Sequence, residues 1–253
     1  MTKETYTPLD NAPYVLFEED GGTVVYNSAE DWNLVLRSFE IEDANARRFA
    51  VEIPGRDGVL DLSDALGGVY YENRKIVLNF ACVNFVTERF HLLASIMRNA
   101  LDGKVMRLTF SGDLAYFWRG RAQVDAEWGG LNYSVITVTI DAEPHKYSVI
   151  SSYEPWEWSP FNFVTGVITQ ASDIALTGGT VTVTLPVDPA RGKPTLWLNT
   201  GSAKARLSSD QKWHTLKAGA NLFPEIRMSA TAEVQLLLNG TGSVGVEYRV
   251  GSL

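Results

Sequence analysis

The stretch "EIPGRDGVLDLSDALGGVYYENRKIVLNF" (residues 52–80) gathers a proline, four glycines and a run of acids and ends in a clear strand pattern. Pro54-Gly55 suits a turn with positive φ at its second position, and Asp57-Gly58 suits another just after it. Three acids, Asp57, Asp61 and Asp64, follow, and then Gly67-Gly68. Glycines among acids raise three ligand readings, and spacing removes each. A phosphate loop needs Lys-Ser/Thr after its last glycine, and none stands here. A dinucleotide loop needs glycines that open a helix, and "VLDLSDALGG" is too short for one. An EF-type calcium loop needs acids at alternate positions with a late Glu, whereas these acids are four and three apart. What remains is a shape-making turn sequence between strands. Pro54, Gly55 and Gly58 set backbone direction, and Arg56 and Asp57 are expected to pair locally or across a subunit contact.

Outward from this stretch, the first half reads as strands with one helix. "AVEI" (residues 50–53) leads into the turn. In "KIVLNF" (residues 75–80), Ile76, Leu78 and Phe80 share one face. "TERFHLLASIMRNALDG" (residues 87–103) is helical: Phe90, Leu93, Ala94, Met97 and Leu101 form one apolar stripe. Thr87 is the expected N-cap, Glu88 suits the positive helix start, and Asp102-Gly103 is a stop signal. "VMRLTF" (residues 105–110) alternates, and two further strands flank Trp128-Gly129-Gly130 as a hairpin, the second with Ile136, Val138 and Ile140 on one face.

The second half shows no helical pattern. In "GGTVTVTLPV", Val181, Val183 and Leu185 alternate with Thr180, Thr182 and Thr184, the mark of a half-buried antiparallel strand. "PTLWLNTG", "KARLSSD", "KWHTLKAG", "EVQLLLNGTG" and "SVGVEYRVG" follow at short intervals, divided by Gly, Asn, Ser and Pro. Such regular short strands predict a sandwich or jelly roll. Between the halves, "EPHKYSVISSYEPWEWSPFNF" carries Pro144, Pro155 and Pro160, which places a domain boundary at roughly 144–165.

Composition fits this division. The chain has 253 residues, 45% hydrophobic and 21% charged, enough for two ordinary domains with packed cores. The net charge of −8 is uneven: residues 1–143 carry 13 Lys and Arg against 22 Asp and Glu, net −9, and residues 144–253 carry 9 against 8, net +1. An acidic first half argues against nucleic acid as a direct partner, because phosphates demand Lys and Arg. The N-terminus lacks the basic and apolar regions of a signal peptide, and no apolar run approaches the ~20 residues of a membrane helix. One cysteine, Cys82, lies in an apolar run and is expected to be a buried, inert thiol of a protein folded in a reducing compartment.

No catalytic constellation emerges. His91, His145 and His214 each lack a second His or a Cys at ligand spacing, so no metal site is expected. There is no Gly-x-Ser-x-Gly elbow, no carboxylate pair is singled out, and no cofactor motif is present. Trp156, Trp158, Trp197 and Trp213 lie in or beside the second half. Trp faces can stack on sugars, so these four are candidate glycan-stacking residues, against the ordinary role of filling space between sheets.

Residues 52–80 resemble the signature region of the siphophage distal tail protein family (Dit). The matching pattern is a Pro-Gly-Arg-Asp-Gly turn (Pro54, Gly55, Arg56, Asp57, Gly58), then Asp-hydrophobic-Ser/Thr (Asp61-Leu62-Ser63). A Gly (Gly67 or Gly68), an aromatic (Tyr70 or Tyr71), Arg74 and the alternating strand follow. The helix at 87–101, "GKVMRLTF" after it, and "DAEPHKYS" also fit, the last similar to a Pro-aromatic-x-Tyr mark with His145 where an aromatic is common.

The resemblance implies a mainly β protein in two parts. Residues 1–143 would be an α+β, tail-tube-like, ring-forming domain with one helix on its sheet. Residues 144–253 would be an all-β sandwich similar to galectins and carbohydrate-binding modules. It further implies a short two-domain member from a phage of a Gram-positive host, assembled in bacterial cytoplasm into the virion. There it would be a structural, non-enzymatic hexameric ring joining the tail tube to tail-tip or fibre proteins. The alternative is an adhesion module that binds host glycan through the second domain. The family assigns no catalytic residue, metal or cofactor.

Overall fold

The structure is a computed structural model that describes residues 13–63, 65, 68–82, 87–130, 134–154 and 171–253. The chain divides into two compact units, Met1–Pro144 and His145–Leu253. The first contains β1 (Val15–Glu19), β2 (Val25–Asn27), β3 (Val35–Ile41), β4 (Ala50–Glu52), β5 (Val59–Asp61), β6 (Arg74–Ala81), α1 (Thr87–Leu101), β7 (Val105–Phe110), β8 (Asp113–Glu127) and most of β9 (Val135–Ser148).

Its main sheet has the order β2-β1-β7-β8-β9-β6-β3. The two clearest alternating runs are direct cross-strand partners: Ile76 faces Ile140, Leu78 faces Val138, and Phe80 faces Ile136. All six are fully buried. Branched and aromatic pairs of this kind are the unit of sheet stabilisation. On β1, Phe17 lies 6.3 Å from Phe80 of β6, ring to ring. Three strands separate β1 from β6 along the ladder, so the sheet curls over a shared core.

The helix closes that core against β8. Phe90, Leu93, Ala94, Met97 and Leu101 are buried, and Ala100 joins them. Burying each large side chain contributes roughly 1.5–3 kcal/mol. Phe90 also meets Trp128 at 5.3 Å. Thr87 is the first residue of the helix. Glu88 in the first turn and Arg98 in the last complement the helix dipole. The helix stops at Asp102, whose carboxylate accepts a hydrogen bond from the Val124 N–H. Cys82 is buried, and burial pushes its thiol up to about 11.

Pro144 does not break the chain's course. β9 runs through it to Ser148, so the division between units falls inside a strand. The ladder to β6 ends at Ala142. Beyond the proline, β15 (Gly251–Ser252) pairs with Tyr147 and Lys146. Pro144 thus stands between the last residue paired with β6 and the first paired with β15.

The second unit holds β10 (Ile174–Leu185), β11 (Thr195–Leu207), β12 (His214–Thr215), β13 (Gly219–Leu222), β14 (Val234–Glu247) and β15. β14 lies between β10 and β11; β13 pairs with the first half of β11 and β12 with the second. The sequence runs that glycines divide are continuous here: residues 195–207 form one strand and 234–247 another. Gly201 and Gly242 stand opposite each other in register. A Cβ on Gly201 would lie 2.0 Å from the Thr241 carbonyl oxygen, and one on Gly242 2.1 Å from that of Thr200. Bulges between Thr177 and Thr180 and between Leu198 and Thr200 lie on the same line. Across them the buried set changes parity, from Leu176, Leu196 and Leu198 to Leu185, Ala203, Ala205 and Leu207. Each bulge adds one residue and turns the other side of the strand to the core.

Candidate functional site

β4 and β5 form a two-stranded arm of their own, outside the main sheet. Val51 faces Leu60, and Glu52 faces Val59. Alternation therefore places Phe49, Val51, Leu60 and Leu62 on one side, with Ala50, Glu52, Val59 and Asp61 on the other. The apolar side is not covered: Phe49 is 56% exposed, Val51 48% and Leu62 41%, and Ile53 at the tip is 41% exposed. A lone two-stranded hairpin is marginal in water, and a contiguous exposed apolar patch marks an interaction surface. The alternations in "FAVEI" and "VLDL" mark two unlike sides, but not which of them is left uncovered.

The turn at the tip has a definite geometry. The Arg56 N–H donates to the Ile53 carbonyl at 3.1 Å, with Pro54 and Gly55 as the central pair and Gly55 at φ 84°. Pro fixes the first central residue and Gly supplies the positive φ of the second. Gly58 also has positive φ, at 75°. Nothing lies within 4 Å of a Cβ placed on either glycine, so φ and not space demands them. Arg56 and Asp57 are exposed, and among the described residues their side chains form no ion pair or hydrogen bond with each other. The concavity beside the tip, about 470 Å³ and lined by Glu52, Ile53, Pro54, Arg56, Gly58 and Val59, opens widely to solvent.

The arm's root explains the Asp-Leu-Ser element. Asp61 accepts hydrogen bonds from the Ser63 N–H at 2.9 Å and the Ser63 hydroxyl at 2.5 Å. The Ser63 Oγ in turn accepts from the Phe49 N–H at 2.9 Å, and the Leu62 N–H donates to the Phe49 carbonyl. Side-chain and backbone donation by Ser63, with the Arg48 charge at 3.6 Å adding less, holds the Asp61 carboxyl below its ordinary value.

Arg74 lies elsewhere, at the start of β6. It is only 7% exposed. Its guanidinium lies 4.8 Å from the Trp118 ring centroid and donates to the Pro144 carbonyl at 2.5 Å. Burial lowers its pKa, and the Asp43 charge partly opposes that. Arg74 thus ties the end of β9 to the sheet and does not meet the Pro54–Gly58 turn.

Of the four tryptophans considered for sugar stacking, Trp156 and Trp158 lie outside the described residues. Trp197 is half-buried, 5.5 Å from the Tyr153 ring, and its Nε1 donates to Glu247 at 2.7 Å. Trp213 is half-buried under the Arg206 guanidinium at 4.8 Å. Each thus has a neighbour within the second unit. Among the described residues no group of three His, Cys, Asp or Glu side chains gathers as a metal site. No helix among them is long and apolar enough to cross a membrane.

No protein-family model and no curated protein matches this chain. Solved structures do match it. The crystal structure of the Dit protein (gp 19.1) of phage SPP1 is described as a paradigm of the hub adsorption apparatus in phages infecting Gram-positive hosts. It superposes over 94% of this chain and 99% of its own, with a TM-score of 0.57 and 11% identity. A chain of the phage p2 baseplate in its activated conformation with Sr matches over 96% and 99%, with a TM-score of 0.43 and 10% identity. At 11% identity the likeness to the SPP1 protein is one of fold, and this chain has that fold along nearly its whole length.

Proposed function

We propose that this protein is the hub at the distal end of a long, non-contractile phage tail, a structural virion protein that closes into a hexameric ring. On this reading the ring joins the tail tube on one side to tail-tip, fibre or receptor-binding proteins on the other. Residues 1–144 build the ring, and residues 145–253 are a sandwich module, similar to galectins and carbohydrate-binding modules, that receives other tail parts.

The supporting observation is the match of both units together, at 94% and 99% coverage, to a hub protein. The arm adds a physical reason for assembly: a hairpin with its apolar side in water is more stable against a partner. The turn residues Pro54, Gly55, Arg56, Asp57 and Gly58 then shape an assembly element, and Arg74 braces the main sheet through Trp118 and the Pro144 carbonyl. No observation favours the glycan reading, since Trp197 and Trp213 already have partners within the unit.

Negative-stain imaging of the purified protein, with light scattering after gel filtration, tests the proposal. Rings with a central hole and a mass near six chains are expected. Monomers at all concentrations up to the high micromolar range would sink it.

A further inference from the structure

The arm has an apolar surface without a cover, and the same unit carries a second such surface of different shape. On α1, Arg89, Leu92, Ile96 and Asn99 fall at spacings of three and four and share the outward side. Leu92 is 62% exposed and Ile96 46%. The inward side of this helix is fully used by the core, so nothing in the fold of one chain requires a Leu and an Ile there. Because Phe49, Val51, Leu92 and Ile96 are all exposed in the same chain, the arm does not cover its own helix.

Charge distinguishes the two surfaces. Residues 40–72, the arm and its roots, hold eight acids and three arginines, net −5, whereas residues 87–104 hold two acids and three bases, net +1. Within a unit of net charge −9, the helix window is thus free of the excess of acid that marks the arm, and Arg89 stands on the stripe beside Leu92. Arm against arm would place acid on acid. Arm against helix places apolar on apolar with opposite charge around it.

We infer that the apolar face of the arm docks on the Leu92–Ile96 stripe of α1 in a neighbouring copy of this chain. The inference rests on the ring reading, because a head-to-tail contact that closes a ring needs two different, complementary surfaces on every copy. Each copy gives its arm to one neighbour and its helix to the other.

Cysteine pairing tests this contact. Val51→Cys and Leu92→Cys are made in separate chains; both sites are exposed, so both variants fold, and Cys82 is buried and unreactive. The oxidised mixture is expected to give a dominant Val51→Cys to Leu92→Cys dimer, and each variant alone little. A chain carrying both changes is expected to give a ladder of covalent oligomers. Leu92→Asp, which leaves the core untouched, is expected to weaken association by about tenfold or more, with thermal unfolding unchanged. Rings that form without the mixed crosslink, or whose dominant crosslink is Val51→Cys to itself, overturn this contact and leave the hub reading intact. Wild-type protein that never associates overturns both.

Discussion

The arm and the β11–β14 pair are both β-ladders marked by glycines of positive φ, and they differ in the space around those glycines. At the arm's tip, Gly55 and Gly58 stand in open space with positive φ, and any cost of replacing them is conformational. In the second unit, Gly201 and Gly242 face each other inside long strands, where a side chain would occupy the place of the opposing backbone. The first kind of glycine ends a ladder, and the second lets a ladder pass through a tight crossing without ending. A Gly inside a strand pattern marks close backbone approach as readily as a turn, and nothing local in the sequence separates the two.

Gly242→Ala probes the second kind and should have the largest effect. The added methyl would meet the Thr200 carbonyl at 2.1 Å at a φ of 110°, so either the ladder shifts or the strand breaks. A loss of about 3–5 kcal/mol in the stability of the second unit is expected, read as a lower calorimetric or denaturant midpoint for that unit. A midpoint equal to wild type would break the contrast, since it would show that the crossing has room to spare.

Gly55→Val probes the first kind. A β-branched residue at φ 84° costs roughly 1–3 kcal/mol, but only the arm bears it. Thermal unfolding of the core should stay where it is, while association fails because the apolar face is no longer presented in one shape. A variant that associates like wild type would remove the geometric account of the turn.

This contrast marks how much was legible. The α1 stripe and the alternation at Ile76–Phe80 and Ile136–Ile140 follow from period alone, because burial of one side writes itself into the pattern. The turn residues at 54–58 could be named, and three ligand loops excluded, from spacing. The continuity of β11 and β14 could not be read, because the residues opposing Gly201 lie some forty positions away. Nor could the exposure of Phe49 and Val51, since alternation shows that two sides differ and not which side is covered. β1 to β3 carry little signal: within them only Val15, Phe17 and Leu36 are buried, and the bulge between Leu36 and Ser38 interrupts the period.

Ser63→Ala asks whether the arm is held at its root as lightly as its exposure suggests. It removes the hydroxyl that links Asp61 to the Phe49 N–H, for an expected local cost of about 1 kcal/mol. Amide exchange at Phe49 and Leu62 should quicken severalfold, with amides of β6 and β9 unchanged. Equal quickening in the main sheet would mean that arm and sheet open as one unit.

The smallest effect separates the charges of the arm from those of the main sheet. Asp20, at the end of β1, accepts from Arg107 at 3.0 Å and forms an ion pair with Arg119 at 2.7 Å, and Arg119 also pairs with Glu143. Burial, the largest single influence on Asp20, raises its pKa, but the hydrogen bonds and charges of Arg119 and Arg107 together outweigh it, and the net shift is downward from 3.8. Asp61 is also shifted downward from 3.8, chiefly by hydrogen bonds from the neutral Ser63. In both cases the folded pKa lies below the unfolded one, so the stabilisation is present above 3.8 and fades as pH falls through the folded value. Salt tells them apart. At about 1 M ionic strength, screening over ~3 Å weakens the arginine charges that act on Asp20 and leaves the Ser63 hydrogen bonds in place. Carboxyl titration by NMR should therefore show the Asp20 pKa rising toward 3.8 with salt and the Asp61 pKa nearly fixed. If both move equally, Arg48 and not Ser63 governs the root of the arm, and the arm is held by charge as the sheet surface is.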